Sequence, residues 1–289
     1  MGVGSRSGWG RGAALAVVGL FVADLIGLVA VPAAPGLAAI RLAVRSAGAR
    51  TLSAGTARVE MTISTSTAGS GLHASITQVA IGASDFRNHL ADLAFSAGPA
   101  AGGEVRLVQG MAYEKLPALV MANRHLSTPW VSIPAISASS TDTPGMVPNG
   151  DPSATLAQLE NLPFREVTGA QQVGSEDVRG VPTSEYRLSL NVGAMNAYGT
   201  IFQATNGINT PTPTIRTASM EVWVDSSGLL RRQRITSTGH VSVGTETTAV
   251  TSTVSIDYYD FGTAVSVVAP PPDQVTPLAN LGALLSPSG

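Results

Sequence analysis

Met220-Glu221-Val222-Trp223-Val224-Asp225-Ser226-Ser227-Gly228-Leu229-Leu230-Arg231-Arg232-Gln233-Arg234-Ile235 is the stretch that decides the fold. Met220, Val222 and Val224 alternate with Glu221, Trp223 and Asp225, a period of two that points one set of side chains into a core and the other away from it. Asp225 and Gly228 stand at the first and fourth positions of a type I turn, where Asp bonds back to nearby amides and Gly accepts a positive φ. The chain then reverses into an arginine-bearing strand ending near Ile235, so the stretch reads as a β-hairpin.

The same rhythm recurs on either side. After Gly55, Val59, Met61 and Ile63 alternate with polar partners; Leu188 and Leu190 share a face with Tyr186 and Val192; Val254, Ile256 and Tyr258 oppose Thr253, Ser255 and Asp257. Further strands are expected at residues 72–81, near 88–95, at 104–116, 164–173 and 240–243. Glycine-containing breaks at 68–71 and 98–103 give the spacing of an antiparallel meander. Residues 129–134, closed by proline at both ends, read as an edge or irregular strand.

Residues 37–49 read as a short amphipathic helix with Leu37, Ile40 and Val44 on one side. Asp151 and Pro152 start a second, carried on by Leu156, Leu159 and Leu162, and 194–205 reads as helical. The Ser, Thr, Pro and Gly-rich residues 135–150 read as a surface loop, as do 206–213. Residues 269–273 contain three consecutive prolines, lack the amide donors a sheet needs, and open a tail expected to be extended and weakly held.

Composition narrows the function. A chain of 289 residues with net charge −2 and 12% charged residues has no basic field for nucleic acid. Aromatics make up 5%, which leaves little for base stacking. The absence of cysteine excludes disulfides, thiolate metal sites and a cysteine nucleophile.

At the N-terminus, Arg6 and Arg11 precede an apolar run at 13–23 that resumes after Asp24 at 25–31. Two readings fit: a cleaved signal peptide, and an uncleaved anchor spanning a bilayer core of roughly 30 Å. A buried core helix is disfavoured by the basic leader. Either targeting reading leaves the arginines cytoplasmic and the domain outside. The organisation expected is therefore a leader or anchor at 1–34, one β-rich domain at 35–268 and a proline-rich tail at 269–289.

Residues that would carry chemistry are scattered. His73, His89, His125 and His240 stand singly, without metal-ligand spacing. No G-x-S-x-G elbow, no phosphate-binding GK[ST] loop and no G-x-G-x-x-G pattern occurs. Glu176 with Asp177, and Asp257 with Asp260, are the nearest approach to paired carboxylates, and they read as a solvated turn and a strand end. Trp130 and Trp223 read as structural residues of the sheet. No enzyme, metal or cofactor is expected.

The order of the motifs resembles a known family. Val105-Arg106-Leu107-Val108 with Met111 to Pro117 is followed by Thr128-Pro129-Trp130-Val131-Ser132-Ile133, then Asp151-Pro152-Ser153. Gly174-Ser175-Glu176-Asp177-Val178-Arg179-Gly180-Val181 leads to Glu185-Tyr186-Arg187, and Val222-Trp223-Val224-Asp225 leads through Gly228 to Arg232. With the closing Asp257-Tyr258 and Phe261-Gly262-Thr263-Ala264-Val265, this series resembles actinobacterial envelope lipoproteins of the LppX/LprG type.

The resemblance implies an α+β, LolA-like fold: a strongly curved, incompletely closed antiparallel sheet with helices over its concave side, enclosing an apolar cavity. It also implies carriage or presentation of lipids or lipoglycans in the cell envelope. One departure matters: the lipobox cysteine expected within residues 32–36 is missing, so no thioether lipid anchor forms and the leader is the remaining membrane link.

Two functions follow. In the first, acyl chains are the partner and the inward residues Val59, Met61, Ile63, Leu188, Leu190, Val222, Val224 and Ile256 line their cavity. In the second, the same shell has a filled core and serves as an envelope sensor or structural module, contacting another envelope protein through residues 135–150 or the tail.

Overall fold

In the computed structural model, residues 36–69, 72–98, 101–118, 121, 127–134, 167–193, 195–196, 214–243 and 246–278 are described. They belong to one compact unit, residues 35–289. One helix, α1 (Leu37–Ala54), leads into six strands: β1 (Thr56–Gly69), β2 (Leu72–Asp85), β3 (Leu90–Ala97), β4 (Glu104–Val108), β5 (Met111–Lys115) and β6 (Trp130–Pro134). A second series follows with β7 (Val167–Val178), β8 (Val181–Leu190), β9 (Thr214–Asp225), β10 (Leu230–Val243) and β11 (Glu246–Tyr259). A 3-10 turn at Pro272–Gln274 then precedes β12 (Val275–Pro277). The residues expected to form loops at 135–150 and 206–213, and the helix of 151–162, lie outside the described residues, as does nearly all of 194–205.

All twelve strands form one sheet in the order β12-β6-β5-β4-β3-β2-β1-β11-β10-β9-β8-β7. Each series is a meander, and the long strands β1 and β11 join the two. Every pairing is antiparallel except the parallel one of β12 with β6. The end strands β12 and β7 are not paired to each other, so the sheet is the open, curved half-barrel that the motif resemblance implies.

The opening hairpin is β9, turn and β10. Gly228 N–H donates to the Asp225 carbonyl at 2.9 Å, and Asp225 Oδ1 accepts from the amides of Ser227 and Leu229 at 2.8 and 2.9 Å. Gly228 sits at φ 77°, a left-handed conformation that costs a side-chain-bearing residue energy. The alternation expected before the turn holds for Met220 and Val222, which enter the core, but not for Val224, which is half-buried.

Several expectations need correction. Residues 104–116 form not one strand but two, because Gln109 and Gly110 both adopt positive φ (53° and 76°) and close a tight hairpin. The supposed break between Ile235 and His240 is absent, and β10 runs through it as 14 residues. β6 is not an edge strand. Its prolines lie at or beyond its ends, where no ladder donor is lost, and it pairs with β5 on one side and β12 on the other.

The tail is held more firmly than expected. Val275–Pro277 joins the sheet, Leu278 N–H donates to the Ser132 carbonyl at 2.8 Å, and Thr276 Oγ1 lies 2.6 Å from Thr128 Oγ1. The prolines before it stay unpaired, as their missing amides require.

α1 covers one face of the sheet, packing chiefly on β7, β9 and β10. Ile40, Val44, Ala47, Gly48 and Thr51 are its buried side, whereas Leu37, expected among them, is exposed at the first turn. Thr51 Oγ1 accepts from Leu230 N–H at 2.9 Å, and Arg41 donates to the Val167 carbonyl, so the helix is tied to both β10 and β7.

Candidate functional site

The face under α1 is the inner face, and its composition follows from strand register. One row crosses Tyr186, Val222, Gln233, Ile256, Met61, Ala80 and Phe95 on seven successive strands, β8 to β3. A neighbouring row runs Ala170, Leu188, Met220, Ile235, Val254 and Ile63. A third passes through Tyr258, Val59, Gly82, Leu93, Val105, Glu114 and Val131. With Ile40 and Val44 of α1 the apolar side chains of these rows from β7 to β3 form one cluster reaching from Val167 on β7 to Leu93 on β3, and Val105 and Val131 lie beyond it.

Of the residues expected to line a cavity, Val59, Met61, Leu188, Leu190, Val222 and Ile256 are buried in this cluster, and Ile63 packs against it half-buried. Val224 stands apart. It is half-buried at the end of β9, opposite Ser184 and Leu230 and outside the cluster, where Leu230 takes the core position instead. The bulge between Leu230 and Arg232 breaks the simple alternation there.

Two polar side chains on this face escape a search for apolar alternation. Gln233 lies between Val222 and Ile256 and is 1% exposed; its Nε2 reaches only the Met220 sulfur at 3.9 Å, and its Oε1 has no partner. Leaving such a group unsatisfied costs about 1–3 kcal/mol. Glu114 lies between Val105 and Val131, with no hydrogen bond or ion pair to a described residue, and burial raises its carboxyl pKa above the ordinary glutamate value. The one signal for both was parity: Ile235 fixes the direction of Gln233, and Ala112 that of Glu114.

The outer face of the same strands is ionic and fully partnered at its buried positions. Asp257 accepts from Arg232 through Nε and Nη2 at 2.6 and 2.8 Å and from Arg179 Nε at 3.2 Å, while Arg179 also reaches Glu60 at 2.5 Å. The hydrogen bonds that Arg232 donates to Asp257 favour its charged form and raise its pKa. Trp223, 1% exposed, lies on this outer side: Arg232 and Arg234 stack on its ring at 5.6 and 4.9 Å, and its Nε1–H donates to Glu176 at 3.0 Å. Glu176 thus lies within β7 and bonds Trp223, not in the solvated turn expected, and Asp257, near the end of β11 as expected, is buried in this network. On the shorter limb Arg106 stacks on Trp130 at 4.8 Å.

An open depression of about 340 Å³ lies at the far ends of β1, β2 and β11, lined by Ser66, Thr67, Ala68, His73, Ala74, Ser75, Ala249 and Thr251. It shares no residue with the apolar set, and its lining contains no carboxylate to pair with His73. Among the described residues no group of three or more His, Asp or Glu is placed to hold a metal ion. No helix among them is long and apolar enough to cross a membrane.

No family model matches the chain. No curated protein matches it either. Among solved structures it is similar to the lipoprotein LppX of Mycobacterium tuberculosis, with 14% identity over 80% of this chain and 99% of the other at a TM-score of 0.41. It is also similar to LprF from Mycobacterium bovis, with 11% identity over 80% and 96% and a TM-score of 0.36. A LolA superfamily protein from Nitrosomonas europaea follows, with 11% identity over 76% and 91% and a TM-score of 0.25. Likeness at this level places no weight on function, which has to be read from the inner face itself.

Proposed function

We propose that this protein is an exported, non-enzymatic carrier that holds the acyl chains of a lipid or lipoglycan against the inner face of its sheet. The observation that carries the reading is the extent of that face. One apolar cluster reaches from β7 to β3, while α1 packs chiefly over β7, β9 and β10. An open sheet with so wide an apolar face must be covered by further chain, by a guest, or by both.

Val59, Met61, Ile63, Leu188, Leu190, Val222 and Ile256 are the side chains offered to that guest, and Val224 sits at its margin. Residues 1–34 serve as leader or anchor and 35–268 as the carrier domain. With no cysteine for a thioether anchor, the apolar N-terminal run is the membrane link if it is not cleaved.

The test is to purify the protein without detergent, extract it into organic solvent and identify co-purified lipid by mass spectrometry. Lipid at near-stoichiometric amount is expected. A folded protein that is empty and takes up no added fatty acid overturns the reading. A mass measurement on the intact native protein reports whether the leader is cut.

One observation favours a second reading, an envelope sensor or structural module with a filled core. Val59, Val222 and Ile256 are 0–1% exposed, as in a closed interior. The empty outcome above supports this alternative.

A further inference from the structure

We propose that Gln233 reads the guest: its carboxamide bonds a hydroxyl group carried on the hydrocarbon chain, so that the protein selects hydroxylated acyl chains over plain ones. The proposal rests on the carrier reading and adds a substrate class to it. Gln233 is buried within the apolar row, between Val222 and Ile256 and two strands from Met61. The fold has no need of an amide there. Leucine or methionine at this position would continue the apolar parity of Ile235 and pack without a polar group to desolvate.

Elsewhere on the same strand polar atoms are satisfied: Arg232 by Asp257, and Arg234 by Glu221 and the Trp223 ring. Gln233 Oε1 alone among these is buried without a partner, and Nε2 reaches only a thioether, a weak acceptor. A buried polar group left half-satisfied against the local rule is the expected mark of a functional position. Its neighbours in the row carry no charge, so the complementary group is neutral. A hydroxyl donates to Oε1 and accepts from Nε2, which makes it the simplest match to a carboxamide. A plain methylene chain offers neither bond.

The experiment compares stearic acid with a set of hydroxystearic acid positional isomers on the delipidated full-length protein, by displacement of a fluorescent fatty acid. The wild type is expected to bind at least one hydroxylated isomer about tenfold tighter than stearic acid, the equivalent of about 1.4 kcal/mol. In Gln233→Leu that ratio falls to about one. Stearic acid itself binds more tightly to the variant, which has no amide to desolvate. Gln233→Met, of equal length and unbranched, replaces the leucine variant if the latter does not fold, with the same expectation.

Equal binding of all isomers by the wild type, or a preference that survives in the variants, overturns the inference and leaves the carrier reading standing. A wild type that binds no fatty acid overturns both.

Discussion

The two faces of β8 to β11 and β1 are built from the same strands and solve burial in opposite ways. On the outer face, buried polar groups are matched: Asp257 by two arginines, Asp225 by Arg231 and its own turn amides, the Trp223 N–H by Glu176. On the inner face the apolar cluster is nearly continuous, yet Gln233 Oε1 is buried within it without a partner, and half-buried Glu114, on the same face beyond the cluster, has no hydrogen bond or ion pair to a described residue. A fold that satisfies its buried polar atoms on one side and leaves the Gln233 carboxamide wanting on the other has placed stability on the first and room for function on the second.

Core truncation gives the largest effect. Leu188 is 1% exposed and packs within the row of Met220 and Ile235, so Leu188→Ala is expected to cost about 3 kcal/mol in urea unfolding, within the usual range for buried leucine. Comparison with Met61→Ala, four strands away along the inner face, sharpens the contrast. If a hollow adjoins Met61, its truncation creates less new cavity and costs distinctly less than the leucine change. Equal costs of this size at both sites argue for a solid interior.

Next comes the outer network. Asp257→Asn removes the charge shared by Arg232 and Arg179 while keeping the shape, and about 2 kcal/mol of stability is expected to go. Both arginines keep some solvent, which holds the figure below that for a fully buried pair. The loss should leave lipid uptake unchanged; a loss of uptake without loss of stability would mean the outer face takes part in function. Trp223→Phe keeps the ring under Arg234 but loses the bond to Glu176, and about 1 kcal/mol is expected by the same measurement.

How much of this was legible in the sequence depends on which force sets each feature. Alternation is a burial signal, so β1, β8, β9 and β11 and the direction of Val59, Met61, Leu188, Val222 and Ile256 could be read directly. Strand ends in the Ser and Thr-rich halves could not, since neither face there is apolar and the chain stays extended through pairing alone; β10 past Ile235 is the clearest case. The Gln109-Gly110 turn was hidden because apolar Val108 and Met111 flank it closely, although the inward parity changes across it from Leu107 to Ala112. β12 is three residues held by β6 and two threonine hydroxyls, a tertiary contact with no local signature. Gln233 and Glu114 were missed for a related reason: a search for apolar periodicity passes over the polar exceptions that matter most.

Glu114 gives the smallest and most selective effect. Burial between Val105 and Val131 raises its folded pKa above the unfolded value of about 4.3. Below the unfolded value both states hold the proton and the side chain carries no penalty. As pH rises, the unfolded chain ionises first, and the stability present in acid is lost progressively until the folded carboxyl also ionises. Glu114→Gln removes that dependence while keeping the size of the side chain. The variant and wild type should therefore unfold at nearly the same urea concentration at about pH 3.5, below the glutamate range, with the variant increasingly the more stable toward neutrality. Because all other carboxylates are common to both proteins, the difference isolates this one. An advantage for the variant that is constant with pH would mean that Glu114 is solvated like any surface glutamate, and the contrast between the two faces would then rest on Gln233.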